Sequence, residues 1–268
     1  MNSPTTTEAI RPRVAAIVGG TSGLGLSAAR ALVAAGWKTA LLGRNPEKLK
    51  AALDELGKPH AVGFVGDACE SGSTETLIEK VVESFGRLDA LYHVAGGSAR
   101  SSGDGPLHEL TDEGWHRAID LNLSSLVYSN RAAVRRFLEQ GSGGVILNMG
   151  SVLGFSPSPE HFATHGYAAA KSAVIGFTKS VAAQYAKDGI RANVVAPALV
   201  ETPMSARAAD DEEILAYVRT KQPLDGGRIG APEDLDHAVL YLLSDASRFV
   251  TGQVLAIDGG WSVSEGKV

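Results

Sequence analysis

Short apolar runs alternate with longer helix-periodic stretches along nearly the whole of this chain, and few architectures accept that pattern. Val14–Val18 precedes a helical stretch over 24–35, and the run 39–42 precedes another at Pro46–Leu56. The rhythm continues through apolar runs at Ala61–Val65, 88–94, 145–149, 191–195 and Val254–Ile257, with helical stretches between them. A strand that is followed by a helix and then by another strand pairs in parallel through a crossover. The expected fold is therefore α/β: a doubly wound parallel sheet of about seven strands, flanked by helices in three layers. Two helices stand out as long, over 112–139 and 166–187.

At 268 residues the chain has room for one large domain or two small ones. No linker argues for two. The segments rich in Gly, Ser or Pro without apolar periodicity are the opening, 96–105 and 154–159, short enough to be a terminus and two functional loops. The expected organisation is a flexible tail at 1–12 and a single domain at 13–268. A formal net charge of -5 and a pI near 5.8, with no block of Lys or Arg, leave no electrostatic footprint for nucleic acid or an anionic membrane. The expected partner is a small molecule. Cys69 is the single cysteine, so there is no intrachain disulfide and no second thiol to share a zinc, and no metal site is expected. The polar opening lacks an apolar signal core, and no run approaches a membrane span; a cytoplasmic location is the default.

The first strand runs into Gly19-Gly20-Thr21-Ser22-Gly23-Leu24-Gly25 and then into a helix. Glycines there let the backbone turn tightly and approach a diphosphate, while the free N–H groups and dipole of the helix N-terminus attract its charge. Gly19, Thr21, Ser22, Gly23 and Leu24 are accordingly cofactor-binding candidates. Where a fold that uses NAD places an acid for the ribose hydroxyls, at the end of the second strand, this chain has Leu42-Gly43-Arg44-Asn45. Arg44 suits a 2′-phosphate, which favours NADP and leaves NAD open. Further on, Tyr167 precedes Lys171 by four residues, which puts phenol and ammonium on one helix face. A neighbouring cation stabilises a phenolate and brings proton exchange, near pH ~10 for a free tyrosine, towards neutrality.

In this order the motifs resemble the short-chain dehydrogenase/reductases, in their single-domain branch with the 3-oxoacyl-reductase-like and related NADP-dependent reductases. The resemblance runs from Val14 to about Trp261. Gly19, Gly23 and Gly25 match the family's glycine pattern, Asp67-Ala68 looks like its adenine-contacting pair, and Ala95-Gly96 match the end of its Asn-Asn-Ala-Gly motif. Asn122, Ser151, Tyr167 and Lys171 match its catalytic four. The run from Pro197 through Val200 to Thr202 looks like its nicotinamide-carboxamide segment, and 228–234 with 251–260 resemble its C-terminal signatures. The resemblance implies a Rossmann-type fold, a dinucleotide cofactor, and assembly as a homo-oligomer, a tetramer through the two long helices and the last strand. Three positions depart from the pattern: Val18 for a threonine, His93-Val94 for two asparagines that brace the central sheet, and Ala198 for a glycine. His93 is expected as a hydrogen-bonded strand-end histidine, and His161 and His165, just before Tyr167, as solvated loop residues.

The implied reaction interconverts a ketone and a secondary alcohol. Tyr167 supplies the proton, Ser151 holds the carbonyl oxygen, Lys171 lowers the tyrosine pKa and anchors the ribose, and Asn122 orients the lysine through water. A non-catalytic NADP-binding regulator or structural subunit of the same fold is the alternative. The expected pocket walls are 97–105, 152–165 and a possible lid at 204–222, whose Asp210-Asp211-Glu212-Glu213 reads as a solvated first helical turn. No basic cluster stands out in these walls, which leans the substrate towards a neutral ketone or alcohol.

Overall fold

The computed structural model describes residues 12–266; the expected flexible tail lies, but for Pro12, outside the described residues. Seven parallel strands form one sheet: β1 Val14–Val18, β2 Lys38–Gly43, β3 Ala61–Val65, β4 Ala90–His93, β5 Gly144–Met149, β6 Ile190–Pro197 and β7 Val254–Ile257, in the order β3-β2-β1-β4-β5-β6-β7. All five residues of β1 are buried, because both faces of the sheet are covered. Successive side chains of a strand point to opposite faces, and the core divides accordingly. Ala15 and Ile17 pack in one layer with α1 Gly23–Ala34, α2 Pro46–Leu56 and α9 Asp236–Leu243. Val14, Ala16 and Val18 pack in the other with α3 Ser71–Phe85, α5 Ser125–Gln140 and α6 His165–Tyr185. The three-layer arrangement read from the sequence is the one observed.

The chain builds outward from β1 to β3, then returns to pair β4 against β1. That reversal opens a crevice at the carboxyl ends of β1 and β4, where doubly wound sheets bind ligands. A buried polar clamp ties the long helices to the sheet beside it. Asn148 of β5 exchanges amide hydrogen bonds with Asn130 of α5 at 2.8 and 2.9 Å and donates to Thr178 of α6 at 3.0 Å.

Two helix boundaries differ from the sequence expectation. The stretch at 112–139 is not one α-helix: α4 Asp112–Ile119 passes through a π-helical turn, Asp120–Ser124, before α5 begins. Asn122 sits in that turn and donates its amide to the Ala118 carbonyl at 2.9 Å, in place of the main-chain pattern a regular α-turn would keep. The last long helix ends at Tyr185 and tightens into a 3-10 turn, Ala186–Asp188. The segment after β6 carries α7 Ala206–Ala209 and α8 Glu212–Lys221. Asp211 caps α8, accepting from the Glu213 and Ile214 N–H groups at 3.0 and 3.1 Å, and Glu212 and Glu213 occupy its first turn, as expected of an acidic helix start.

Candidate active site

All the site residues named from the sequence line one cavity of about 760 Å³ at the carboxyl edge of the sheet. Its floor is the turn from β1 into α1. Gly19 has φ +86°, and a Cβ there would lie 2.8 Å from the Ala95 nitrogen; one on Gly25 would lie 2.2 Å from the Gly19 carbonyl oxygen. Only glycine lets helix, turn and β4 loop approach so closely. The Gly19 and Gly20 N–H groups are held by the Leu42 carbonyl at 2.9 and 3.1 Å, and Ser22 makes no side-chain cap on α1. The start of α1 thus faces the cavity with donors that no side chain covers, as a bound diphosphate requires. Thr21, Ser22 and Leu24 surround this opening, and Thr202 lies across it, 3.3 Å from where a Gly23 Cβ would be.

At one end of the cavity Arg44 follows β2, largely exposed and 3.9 Å from Asp67. Asp67 accepts the Cys69 N–H at 2.9 Å, and Ala68 beside it is buried. At the other end Ser151 follows β5, and its hydroxyl oxygen accepts the Leu153 N–H at 3.2 Å, so its own proton is left to donate. Tyr167 stands one turn before Lys171 on α6. Lys171 is buried, donates to the Met149 carbonyl at 2.8 Å and lies 5.6 Å from the centre of the Tyr167 ring. Burial pulls its ammonium down to about 8. The same burial pushes the Tyr167 phenol up, against a hydrogen bond with Ser151 that lowers it. The sequence expectation had the lysine lowering this pKa; in the protein alone, desolvation dominates.

Asn122 reaches the site by way of the loop after β4. Its amide donates to the Gly97 carbonyl at 2.8 Å and accepts the Gly97 N–H at 3.1 Å. A Cβ on Gly96 would fall 2.6 Å from the Asn122 Oδ1 and 3.5 Å from Lys171 Nζ, so Gly96 fills the gap between the two. The Asn122 side chain thus grips the loop after β4 directly, beside the lysine. Pro197 ends β6, and Val200 pairs with Gly230 in an isolated parallel bridge. Ser205 locks the turn between them by accepting the Thr202 N–H at 2.9 Å and donating to the Val200 carbonyl at 2.6 Å.

Glycine cradle, buried lysine, phenol and hydroxyl meet in one crevice, and comparison with known proteins gives the arrangement its family. The family model described as Enoyl-(Acyl carrier protein) reductase matches residues 18–262. The chain is 35% identical to 3beta-hydroxysteroid dehydrogenase 2 of Eggerthella lenta, over 93% of this chain and 95% of the other. It is 34% identical to cis-4-hydroxycyclohexanecarboxylate dehydrogenase of Sinomonas cyclohexanicum, over 95% and 98%. It belongs to the short-chain dehydrogenase/reductases. The solved structure of a short-chain type dehydrogenase/reductase from Mycobacterium ulcerans superposes with a TM-score of 0.86 at 32% identity, covering 95% of this chain and 91% of that one. Members of this family are NAD(P)-dependent oxidoreductases that act on secondary alcohols and ketones, and this chain is an enzyme of that kind.

Four residues to which sequence reasoning gave no individual role also shape the site, three of them, Arg100, Asp104 and Arg207, within the expected pocket walls. Among the short-chain dehydrogenase/reductases this chain departs at His93, which is fully buried. One ring nitrogen meets the Ala95 carbonyl at 3.1 Å and the other meets the Ser129 hydroxyl at 2.8 Å. The Ala95 carbonyl can only accept, so in the neutral ring Nε2 carries the proton and Nδ1 is the acceptor that faces Ser129, whose hydroxyl also lies 2.9 Å from the Leu126 carbonyl. Burial, reinforced by the Lys171 charge, pulls His93 down to about 3, so the ring is neutral. The expectation of a hydrogen-bonded strand-end histidine holds. Asp104, in the loop after β4, accepts the Gly166 and Tyr167 N–H groups at 2.9 and 2.8 Å and so caps the helix that carries the phenol. Arg100 and Arg207 both donate to the His161 carbonyl, at 3.1 and 3.4 Å. His161 is accordingly not a solvated loop residue: its ring is largely covered and lies edge-on to Tyr217 at 5.2 Å. His165 is exposed at the start of α6. No sequence signal joins Arg100 to Arg207, because different loops carry them.

Proposed function

We propose that the protein reduces a ketone on an alicyclic body to a secondary alcohol, and runs the reverse oxidation, with Tyr167 as the proton donor and NADP as the preferred cofactor. The observation that carries this reading is the cluster of buried Ser151, half-buried Tyr167 and buried Lys171 opening onto the glycine cradle. The nicotinamide, when bound, supplies or accepts the hydride at the carbonyl carbon. The chain's own residues manage the oxygen. Ser151 donates a hydrogen bond to it and stabilises the charge that develops there. Tyr167, kept protonated by burial, gives its phenolic proton to that oxygen, and Lys171 beneath the ring favours the phenolate that remains. In oxidation the phenolate takes the proton back, so the oxidative rate climbs with pH while the reductive one is sustained through neutrality.

Arg44, free of any contact closer than 3.9 Å to a carboxylate, supports NADP over NAD. Both relatives named above have a hydroxyl on a ring system in their printed names, which supports an alicyclic substrate. No finding favours the non-catalytic alternative. The exposed edge strand β7 supports a homo-oligomer, with a tetramer as the expected state. The direct test follows NADPH consumption with cyclic ketones in the wild type and in Tyr167→Phe. Turnover falling by about 10²- to 10⁴-fold, with NADPH affinity retained, supports the reading; full activity in the variant removes Tyr167 as the donor.

A further inference from the structure

Beyond the proton donor the cavity wall turns apolar and then cationic. Val152, Leu153, Phe162 and Trp261 line it, with Phe162 and Trp261 edge-to-face at 5.6 Å. Beside this wall Arg100 and Arg207, which also line the cavity, converge on the single His161 carbonyl at 3.1 and 3.4 Å. The segments after β4, β5 and β6 supply Arg100, His161 and, on α7, Arg207 in turn, and the loop of His161 runs through Phe162 and Thr164 to the helix of Tyr167.

One neutral carbonyl is a poor counterpart for two cations. A guanidinium carries five N–H donors, and each arginine places one on His161. Among the described residues neither makes an ion pair, and the acid closest to Arg100 in sequence, Asp104, has both oxygens committed to the start of α6. Arg100 is half-buried; burial, with the charge of Arg207 beside it, holds its guanidinium below its ordinary value against the pull of Asp104. Two like charges side by side, Arg100 half-buried and Arg207 exposed at the cavity mouth, with most of their donors unmatched, constitute a site for an anion.

We propose that Arg100 and Arg207 bind a carboxylate on the substrate, so that the enzyme takes ketones and secondary alcohols whose apolar body ends in that group. This proposal rests on the ketone–alcohol reading above and narrows it. Planar guanidiniums match a carboxylate through paired N–H donors, and the aromatic and aliphatic wall receives the rest of the molecule. The neutral substrate suggested by the absence of a basic cluster in the sequence gives way to a charged one, because the cluster exists only in the fold.

The test compares cyclohexanecarboxylate with cyclohexanecarboxamide, two ligands of one shape that cannot react, titrated calorimetrically into the full chain saturated with NADP⁺. The carboxylate is expected to bind about tenfold or more tightly than the amide. That advantage shrinks with added salt and disappears in Arg100→Gln/Arg207→Gln, whose NADP⁺ affinity serves as the check on its fold. The wild-type ratio needs no variant. Equal binding of the two ligands, no binding of either, or an advantage that survives both substitutions overturns the proposal. Inorganic phosphate that displaces the carboxylate at lower concentration overturns it in favour of a phosphoryl substrate. Failure of the underlying reading registers elsewhere, as ketone reduction that persists in Tyr167→Phe, a substitution that leaves the ligand ratio unchanged.

Discussion

His93 shows how one side chain can answer a structural need in a way that leaves a chemical signature. It ends β4 directly behind the cofactor loop, fixes the Ala95 carbonyl and is itself fixed by Ser129. Because its folded pKa lies near 3, below the ~6.5 of an unfolded histidine, the unfolded chain binds the extra proton between those values. Its contribution to stability is therefore complete above pH ~6.5 and is lost progressively as pH falls towards 3. Urea midpoints measured from pH 7.5 to 4.5 are expected to fall more steeply for the wild type than for His93→Asn, and parallel slopes would contradict this assignment. Arg44 makes a different kind of prediction. Its guanidinium is exposed at the rim, so removing it disturbs no packing. Arg44→Ala is expected to weaken NADPH binding by about 10- to 100-fold and leave NADH binding unchanged, as nicotinamide fluorescence would read directly. Equal loss for both cofactors would assign Arg44 to something other than the 2′-phosphate.

Among the elements, α6 and the π-helical turn do most to place chemistry. The start of α6 has no side-chain cap from Thr164; Asp104, distant in sequence, binds its Gly166 and Tyr167 N–H groups instead. The Tyr167 phenol is thus registered to the loop after β4, the same loop that Asn122 grips through Gly97. Asp104→Ala is expected to cost about 1–2 kcal/mol in stability and to lower kcat more than cofactor affinity, with Asp104→Asn intermediate. A variant with wild-type urea midpoint and kcat would mean that water caps the helix equally well. The periodicity of 112–139 and 166–187 was legible because apolar spacing records which face is buried. The π-helical turn was not, since it arises from where Asn122 must reach, and no local pattern encodes that.

At the scale of the molecule, seven strands in one sheet leave β7 as an open edge, with Leu255 on it and Phe249 before it both exposed. Exposed apolar groups beside an unpaired edge are a surface for self-association. Light scattering is expected to give a mass about four times the 27.9 kDa of one chain, and Phe249→Glu with Leu255→Glu is expected to reduce it. A monomeric wild type would refute assembly through this edge.

The sequence alone determined the parallel sheet, the glycine cradle and the pairing of Tyr167 with Lys171. Each rests on short-range spacing: alternating strand and helix periods, glycines at a turn, and two residues one helical turn apart. What only the tertiary structure decided are the contacts between loops that follow different strands. Asp104 on α6 and Arg100 with Arg207 on His161 join residues that no period relates, and they meet because parallel strands deliver their connections to one edge, while Asn122 on Gly97 folds the connection after β4 back on itself.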